Sequence, residues 1–202
     1  LEFVRTAGDV RERHLIDLET RHLRVEQPGK YILGFNGRDL WVSPDRDSFP
    51  GRSPRFFHNL HFYFFSLPFV LADPGVNLSD NGERTVEGKT YRCVLATFDP
   101  GVGDAPEDQY ILYIDPETYR LEFINYSVTY YDPAGAERFN ALVYDWQEAD
   151  GLVVPGKYTG YAWEDNLFGN ERYQVEFSEV RFGSMAPDTT SFAVPEGAWL
   201  EE

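Results

Sequence analysis

From Tyr110 onward the chain is cut by turn residues into short segments in which apolar and polar residues alternate, and this punctuation leaves few folds open. Asp115-Pro116-Glu117-Thr118 separates 110–114 from 121–131, Asp132-Pro133-Ala134-Gly135 leads into 139–147, Asp150-Gly151 precedes 152–164, and the stretch 166–170 precedes 173–182. Pro and Gly at such places set the dihedral angles that reverse a chain, so consecutive segments lie antiparallel. Upstream, Asn36-Gly37 joins 31–35 to 38–42 and suits a type I′ hairpin, in which both central residues take positive φ. Residues 14–25 read as one long strand whose apolar side passes from Ile16 and Leu18 to Leu23 and Val25, a change of parity that a bulge would produce.

In a strand, residues two apart face the same side. Ile124, Tyr126, Val128 and Tyr130 form one row, followed by Leu142, Tyr144 and Trp146, then Thr159, Tyr161 and Trp163, then Tyr173, Val175 and Phe177. In register, these rows make one broad aromatic face and leave the other face polar. Residues 56–71 interrupt the alternation: they are apolar almost throughout and too long for an ordinary strand, which favours a helix up to Ser66, interrupted at Pro68 and buried on most sides. Residues 43–55 and the polar stretch 77–90 read as loops. The expected fold is therefore mainly β: a single domain over residues 1–202, with an antiparallel, strongly curved sheet or half-barrel of about ten strands and a short helical plug on its concave face. The chain opens on Leu1-Glu2-Phe3-Val4 without an initiator Met, so an upstream segment is expected to have been removed.

Aromatic residues make up 16% of the 202, against one Met and one Cys, so burial rests on large rigid rings. The net charge of −16 repels phosphate backbones, which excludes nucleic acid as a natural partner. Cys93 alone forms no internal disulfide and no cysteine zinc site. His58 and His61, three apart, would share a helix face, but no third ligand is fixed by spacing and a hydrogen-bonded structural role is the simpler reading. The acids near turns, such as Asp145 with Glu148, Glu164 with Asp165, and Asp104, Glu107 and Asp108, would serve a hydrolase only if two faced each other across a cleft. No nucleophile, phosphate-binding or dinucleotide motif is present, and no cofactor or metal is expected. The candidate ligand-binding residues are those of the aromatic face and the helix, Trp41, Phe57, Leu60, Phe64 and Tyr126, with Tyr144, Trp146, Tyr161 and Trp163. They suit a lipid or another hydrophobic small molecule; exposed on a surface, the same Trp and Tyr rings would suit a glycan.

Residues 14–21, Gly34-Phe35-Asn36-Gly37-Arg38-Asp39-Leu40-Trp41-Val42, His58-Asn59-Leu60, 62–71 and Asp73-Pro74-Gly75 resemble a family of uncharacterised bacterial secreted lipoproteins. Gly103-Asp104-Ala105-Pro106, Tyr144-Asp145-Trp146 and Gly151-Leu152-Val153-Val154-Pro155 extend the resemblance over roughly residues 14–165. More distantly, the strand order, helical plug and aromatic sheet are similar to the lipoprotein-localisation factors, which hold acyl chains inside an unclosed β-barrel. The resemblance implies an extracytoplasmic origin, in the periplasm or on the outer membrane, with attachment to a membrane only through an upstream lipid anchor, and it specifies membership more than activity. Because the residues show no catalytic constellation, the expected role is non-enzymatic, a carrier of a lipid or acyl chain.

With 34 acids against 18 bases, the surface repels itself at low ionic strength. Raising sodium chloride from about 0.1 M to about 1 M shortens the screening length from about 10 Å to about 3 Å. The melting temperature is expected to rise over that range, with an uncharged osmolyte as the control for general solvent effects; a flat or falling salt curve would overturn the expectation.

Overall fold

The computed structural model describes residues 1–183 and 187–201. Its strands are β1 (Glu2–Ala7), β2 (Val10–Ile16), β3 (Leu23–Gln27), β4 (Tyr31–Phe35), β5 (Leu40–Ser43), β6 (Val76–Val86), β7 (Lys89–Phe98), β8 (Tyr110–Ile114), β9 (Leu121–Tyr126), β10 (Asn140–Ala149), β11 (Leu152–Glu164), β12 (Leu167–Arg181) and β13 (Trp199–Leu200), with one α-helix, α1 (Pro54–Val70), among the described residues. They form one unclosed antiparallel sheet in the order β13-β5-β4-β3-β2-β1-β12-β11-β10-β9-β8-β7-β6. The chain divides into two compact units: unit 1 is Leu1–Phe62, Gln147–Gly156 and Val175–Glu202, and unit 2 is Tyr63–Trp146 and Lys157–Gln174.

The mainly β, antiparallel, unclosed architecture agrees with the sequence reading, and several local expectations do not. Residues 14–25 are two strands, not one. The Asp17 amide donates to the His22 carbonyl, the Asp17 carboxylate accepts from the Glu19 amide, and Arg21 takes a φ of 62°. The parity change thus marks a turn between β2 and β3 rather than a bulge. Residues 36–39 form a four-residue connection instead of a two-residue type I′ turn: Phe35 pairs with Leu40, Gly37 alone takes the positive φ, and Asn36 Oδ1 accepts from the amides of Arg38 and Asp39.

The expected loop 77–90 is the hairpin β6–β7, closed by Glu87 and Gly88 at φ of 48° and 84°. Edge strand β6 is exposed along most of both sides, so its sequence carries no alternation. The next turn falls on Asp165 and Asn166, one hairpin position before the expected 166–170, and β12 starts directly after it. β9 ends at Tyr126, short of residue 131, and the chain passes through a 3-10 turn over Pro133–Glu137 before β10.

Helix α1 is longer than expected at both ends. Ser53 caps it, its hydroxyl accepting from the Phe56 amide, and Pro54 occupies the first turn, where its missing N–H costs nothing. Pro68 lies within the last turn and does not break the helix. A proline there deprives the Phe64 carbonyl of its usual donor, and the Tyr144 hydroxyl donates to that carbonyl instead at 3.1 Å. The helix is also less enclosed than its composition suggests: Phe64, Phe65 and Leu67 are fully buried, Phe56, Leu60 and Phe62 are half-buried, and Phe69 is 47% exposed.

Loss of the Tyr144 hydroxyl leaves a buried carbonyl unpaired, so Tyr144→Phe is expected to cost about 1–3 kcal/mol. Pro68→Ala restores an amide able to serve Phe64, so in that background the same change is expected to cost less. Urea denaturation of the four proteins in the double-mutant cycle checks this; equal costs in both backgrounds would overturn it.

Candidate functional site

Within unit 2, the last two turns of α1 lie against one face of the sheet. Phe64 is ringed by Tyr126 at 4.8 Å and Tyr158 at 5.9 Å, both edge-on, and by Tyr110 at 6.4 Å. Strand parity places these residues: Tyr110 pairs with Tyr126 across β8 and β9, Ile124 pairs with Leu142 across β9 and β10, and Leu142, Tyr144 and Trp146 alternate along β10. Trp146 stacks on Tyr144 at 5.1 Å and 21°, and its indole N–H donates to the Leu121 carbonyl at 2.8 Å. Tyr158 meets Tyr173 edge-on, and the Tyr126 and Tyr173 hydroxyls share a hydrogen bond of 2.9 Å.

The shell is aromatic but not wholly apolar, since each tyrosine brings a hydroxyl inward. Burial pushes the Tyr110, Tyr126, Tyr144 and Tyr173 phenols upward, with neighbouring phenols adding to the rise at Tyr110, Tyr144 and Tyr173. All four therefore stay neutral at any physiological pH. The phenols themselves are uncharged, and three of their hydroxyls are bonded within the shell, that of Tyr144 to the Phe64 carbonyl and those of Tyr126 and Tyr173 to each other.

Of the nine residues proposed from sequence, the structure brings together Phe64, Tyr126, Tyr144 and Trp146. Tyr161 and Trp163 stand on the other face of unit 2, against Phe168 at 5.5 and 5.2 Å. Trp163 also approaches Phe123 and Tyr113, which stack on each other at 4.0 Å within a second core with Tyr91, Cys93 and Ile111. The expected polar face is thus apolar too. Both faces of β11 carry aromatics, so a period of two could not select between Tyr158 and its neighbours Tyr161 and Trp163. The available signal was Gly160: a Cβ there would stand 2.5 Å from the Tyr173 ring, and a glycine inside a strand marks such an approach. Tyr110 and Tyr158 are the members that sequence reasoning missed; the sequence reading places Tyr173 in the aromatic face but not among the candidate ligand-binding residues.

Trp41, Phe57 and Leu60 belong to unit 1. Trp41 is fully buried, its indole donating to the Phe192 carbonyl at 3.3 Å, so it is core rather than lining. Phe57 faces the Arg5 guanidinium at 5.3 Å and His61 at 4.5 Å. Arg5 in turn pairs with buried Glu12 at 2.7 Å, and the Tyr31 hydroxyl donates to the other Glu12 oxygen. Burial alone would raise the Glu12 carboxyl, but His14, Arg5 and Tyr31 hold it below its ordinary value. His14 Nε2 stands 3.7 Å from Glu12 Oε2, too far for a hydrogen bond, while its ring stacks on Phe3 at 4.6 Å. His58 stacks on Phe35 at 5.7 Å. No three His, Cys, Asp or Glu side chains converge as metal ligands among the described residues. Of the turn acids, Asp108 accepts from both the amide and hydroxyl of Thr129, and exposed Asp145 pairs with Lys157 at 2.9 Å.

Residues 54–153 match the model of DUF6503, a family of unknown function. Among solved structures, a LolA superfamily protein from Nitrosomonas europaea aligns with a TM-score of 0.55 at 14% identity, covering 96% of this chain and 87% of that one. A DUF1329 family protein from Desulfovibrio piger aligns with a TM-score of 0.53 at 13% identity, covering 94% and 86%. The chain has the fold of the LolA superfamily, in keeping with the resemblance read from its residues. No curated protein matches the sequence.

The buried histidines give unit 1 a pH dependence. Burial pushes His58 down to about 3, with Arg55 and His14 adding repulsion, and pushes His61 well below 6.5, with Arg5 and His14 adding theirs. Unfolding lets both take protons near pH 6.5, so their contribution is complete above that value and is lost as pH falls. Each depressed imidazole is expected to add a slope of up to about 1.4 kcal/mol per pH unit. Urea midpoints measured from pH 7.5 to pH 5 check this, with a shallower slope expected for His61→Asn and an unchanged slope counting against it.

Proposed function

We propose that this protein is a non-enzymatic binder of an uncharged apolar molecule, a lipid or acyl chain, held in unit 2 by the tyrosine shell around Phe64. The observation that carries the proposal is the lining itself. A core serving stability alone is best built from Leu, Ile and Phe, whereas this shell gathers tyrosines around one phenylalanine and uses a tyrosine hydroxyl to secure the helix. Such a wall accepts a hydrocarbon chain against its rings and offers neutral hydrogen bonds to an ester or hydroxyl. Phe64 occupies the place the chain would take, so binding requires the last turns of α1 to shift.

The LolA superfamily fold supports the same reading, as do the exposed Phe69 on the last turn of α1 and Leu78 on β6, two large apolar residues at the surface of the same unit. An extracytoplasmic location, in the periplasm or at the outer membrane, belongs to this proposal.

Native mass spectrometry of freshly purified protein is expected to show a bound apolar mass. After delipidation, the uncharged methyl ester of cis-parinaric acid is expected to bind saturably with a rise in its fluorescence, and Tyr158→Ala to alter its affinity more than Tyr161→Ala. A protein that purifies empty and leaves the probe's fluorescence at its value in buffer in all forms would overturn the proposal.

A further inference from the structure

On the face of unit 2 opposite the Phe64 shell, β10, β11 and β12 meet the 127–139 connection around a half-open groove of about 510 Å³. Small-molecule sites commonly occupy about 300–1,000 Å³. The apolar part of the lining is Trp163 with Phe139 and Val128. Trp163 is half-buried, anchored by Phe168 and Phe123 at 5.2 and 5.8 Å, and its remaining surface lines the groove.

The polar lining is built rather than incidental. Arg172 on β12 donates from Nη1 to Asn140 Oδ1 on β10, which sets a guanidinium and an amide side by side. Glu164 follows Trp163 on β11, and Glu137 and Arg138 close the far side. That wall is fixed in place. Asp132 caps its 3-10 turn and pairs with Arg138, and buried Gly135 packs so closely that a Cβ would fall 2.0 Å from the Val128 carbonyl oxygen.

Charge decides what such a groove can hold. Arg138 is already paired with Asp132, which leaves Arg172 against Glu137 and Glu164 on a chain of −16, so neither the lining nor the surrounding field attracts an anion. The lining sets the Trp163 indole beside planar hydrogen-bonding groups. A pyranose ring presents both complements, an apolar C–H face for an indole and adjacent hydroxyls for an amide, a carboxylate and a guanidinium. Arg172 has five N–H donors, so holding Asn140 leaves it donors for a ligand.

The geometry points to a neutral-saccharide site in this groove, with one sugar ring stacked on Trp163 and its hydroxyls bonded by Asn140, Arg172 and Glu164. It shares no residue with the apolar shell, although Asn140 pairs with Tyr126 across β9 and β10, so the two sites adjoin at the end of those strands.

The test follows the indole N–H signals of the four tryptophans in ¹⁵N-labelled protein during titration with maltohexaose, cellohexaose and chitohexaose, with polygalacturonate as an anionic control. At least one neutral sugar is expected to move the Trp163 signal saturably and leave that of Trp41 in place. Because Trp163 also packs on Phe168, the confirming variants are Arg172→Ala and Asn140→Ala, each expected to keep the parent melting temperature and weaken binding about tenfold. Three silent neutral sugars, a response to polygalacturonate alone, or variants that bind like the parent would each overturn the assignment. These titrations are read separately from binding of the parinaric ester, so silence from the sugars leaves that result standing.

Discussion

Pro68 has no amide hydrogen, so the Phe64 carbonyl one turn before it must find a donor outside the helix, and the Tyr144 hydroxyl supplies it. The rest of the shell depends on this contact. It ties α1 to β10 at the level of the Phe64 ring, which lets Tyr126, Tyr158 and Tyr110 close around that ring. A buried carbonyl without a donor is costly. The tyrosine hydroxyl therefore resolves a backbone problem and a packing problem together. It also makes the helix end separable in principle, because one hydrogen bond and ring contacts hold it rather than an ion pair.

Unit 2 is unusual in loading both faces of its strands with aromatics. One face carries the Phe64 shell, the other the stacked Tyr113 and Phe123 with Trp163 and Phe168. The two differ in chemistry. The first is enclosed and uncharged, suited to a molecule that leaves water entirely. The second opens at its margin into a groove where Trp163 meets Asn140 and Arg172, suited to a ligand that keeps its hydroxyls paired. Unit 1 differs from both in burying an ion pair, Arg5 with Glu12, together with neutral histidines. Breaking such a pair is far more damaging than never having made it, and with Tyr31 it links β1, β2 and β4 through one buried carboxylate.

The strong turns were legible because their chemistry is local. Asp115 caps its own turn through the amides of Glu117 and Thr118, and Asp150-Gly151 takes two positive φ angles, just as those residue types suggest. The faces of β9 and β10 were legible because Tyr126 and Tyr144 follow a clean period of two. β6 was not, because an edge strand exposed on both sides has no reason to alternate. Of the candidate site, Phe64, Tyr126, Tyr144 and Trp146 could be named in advance, while Tyr158 could not, since β11 bears rings on both sides.

Local residue patterns were enough to specify an antiparallel sheet rich in rings with one apolar helix, because turn dihedrals, period-two patterning and the length of the 56–71 run are properties of neighbouring residues. Remote contacts settled that Pro68 stays inside that helix, that Trp163 and Tyr158 point to opposite faces, and that Trp41 is core. Each of these depends on a partner remote in sequence, Tyr144 for the Phe64 carbonyl, Phe168 for Trp163 and the Phe192 carbonyl for Trp41, and no local pattern reports which remote group will arrive.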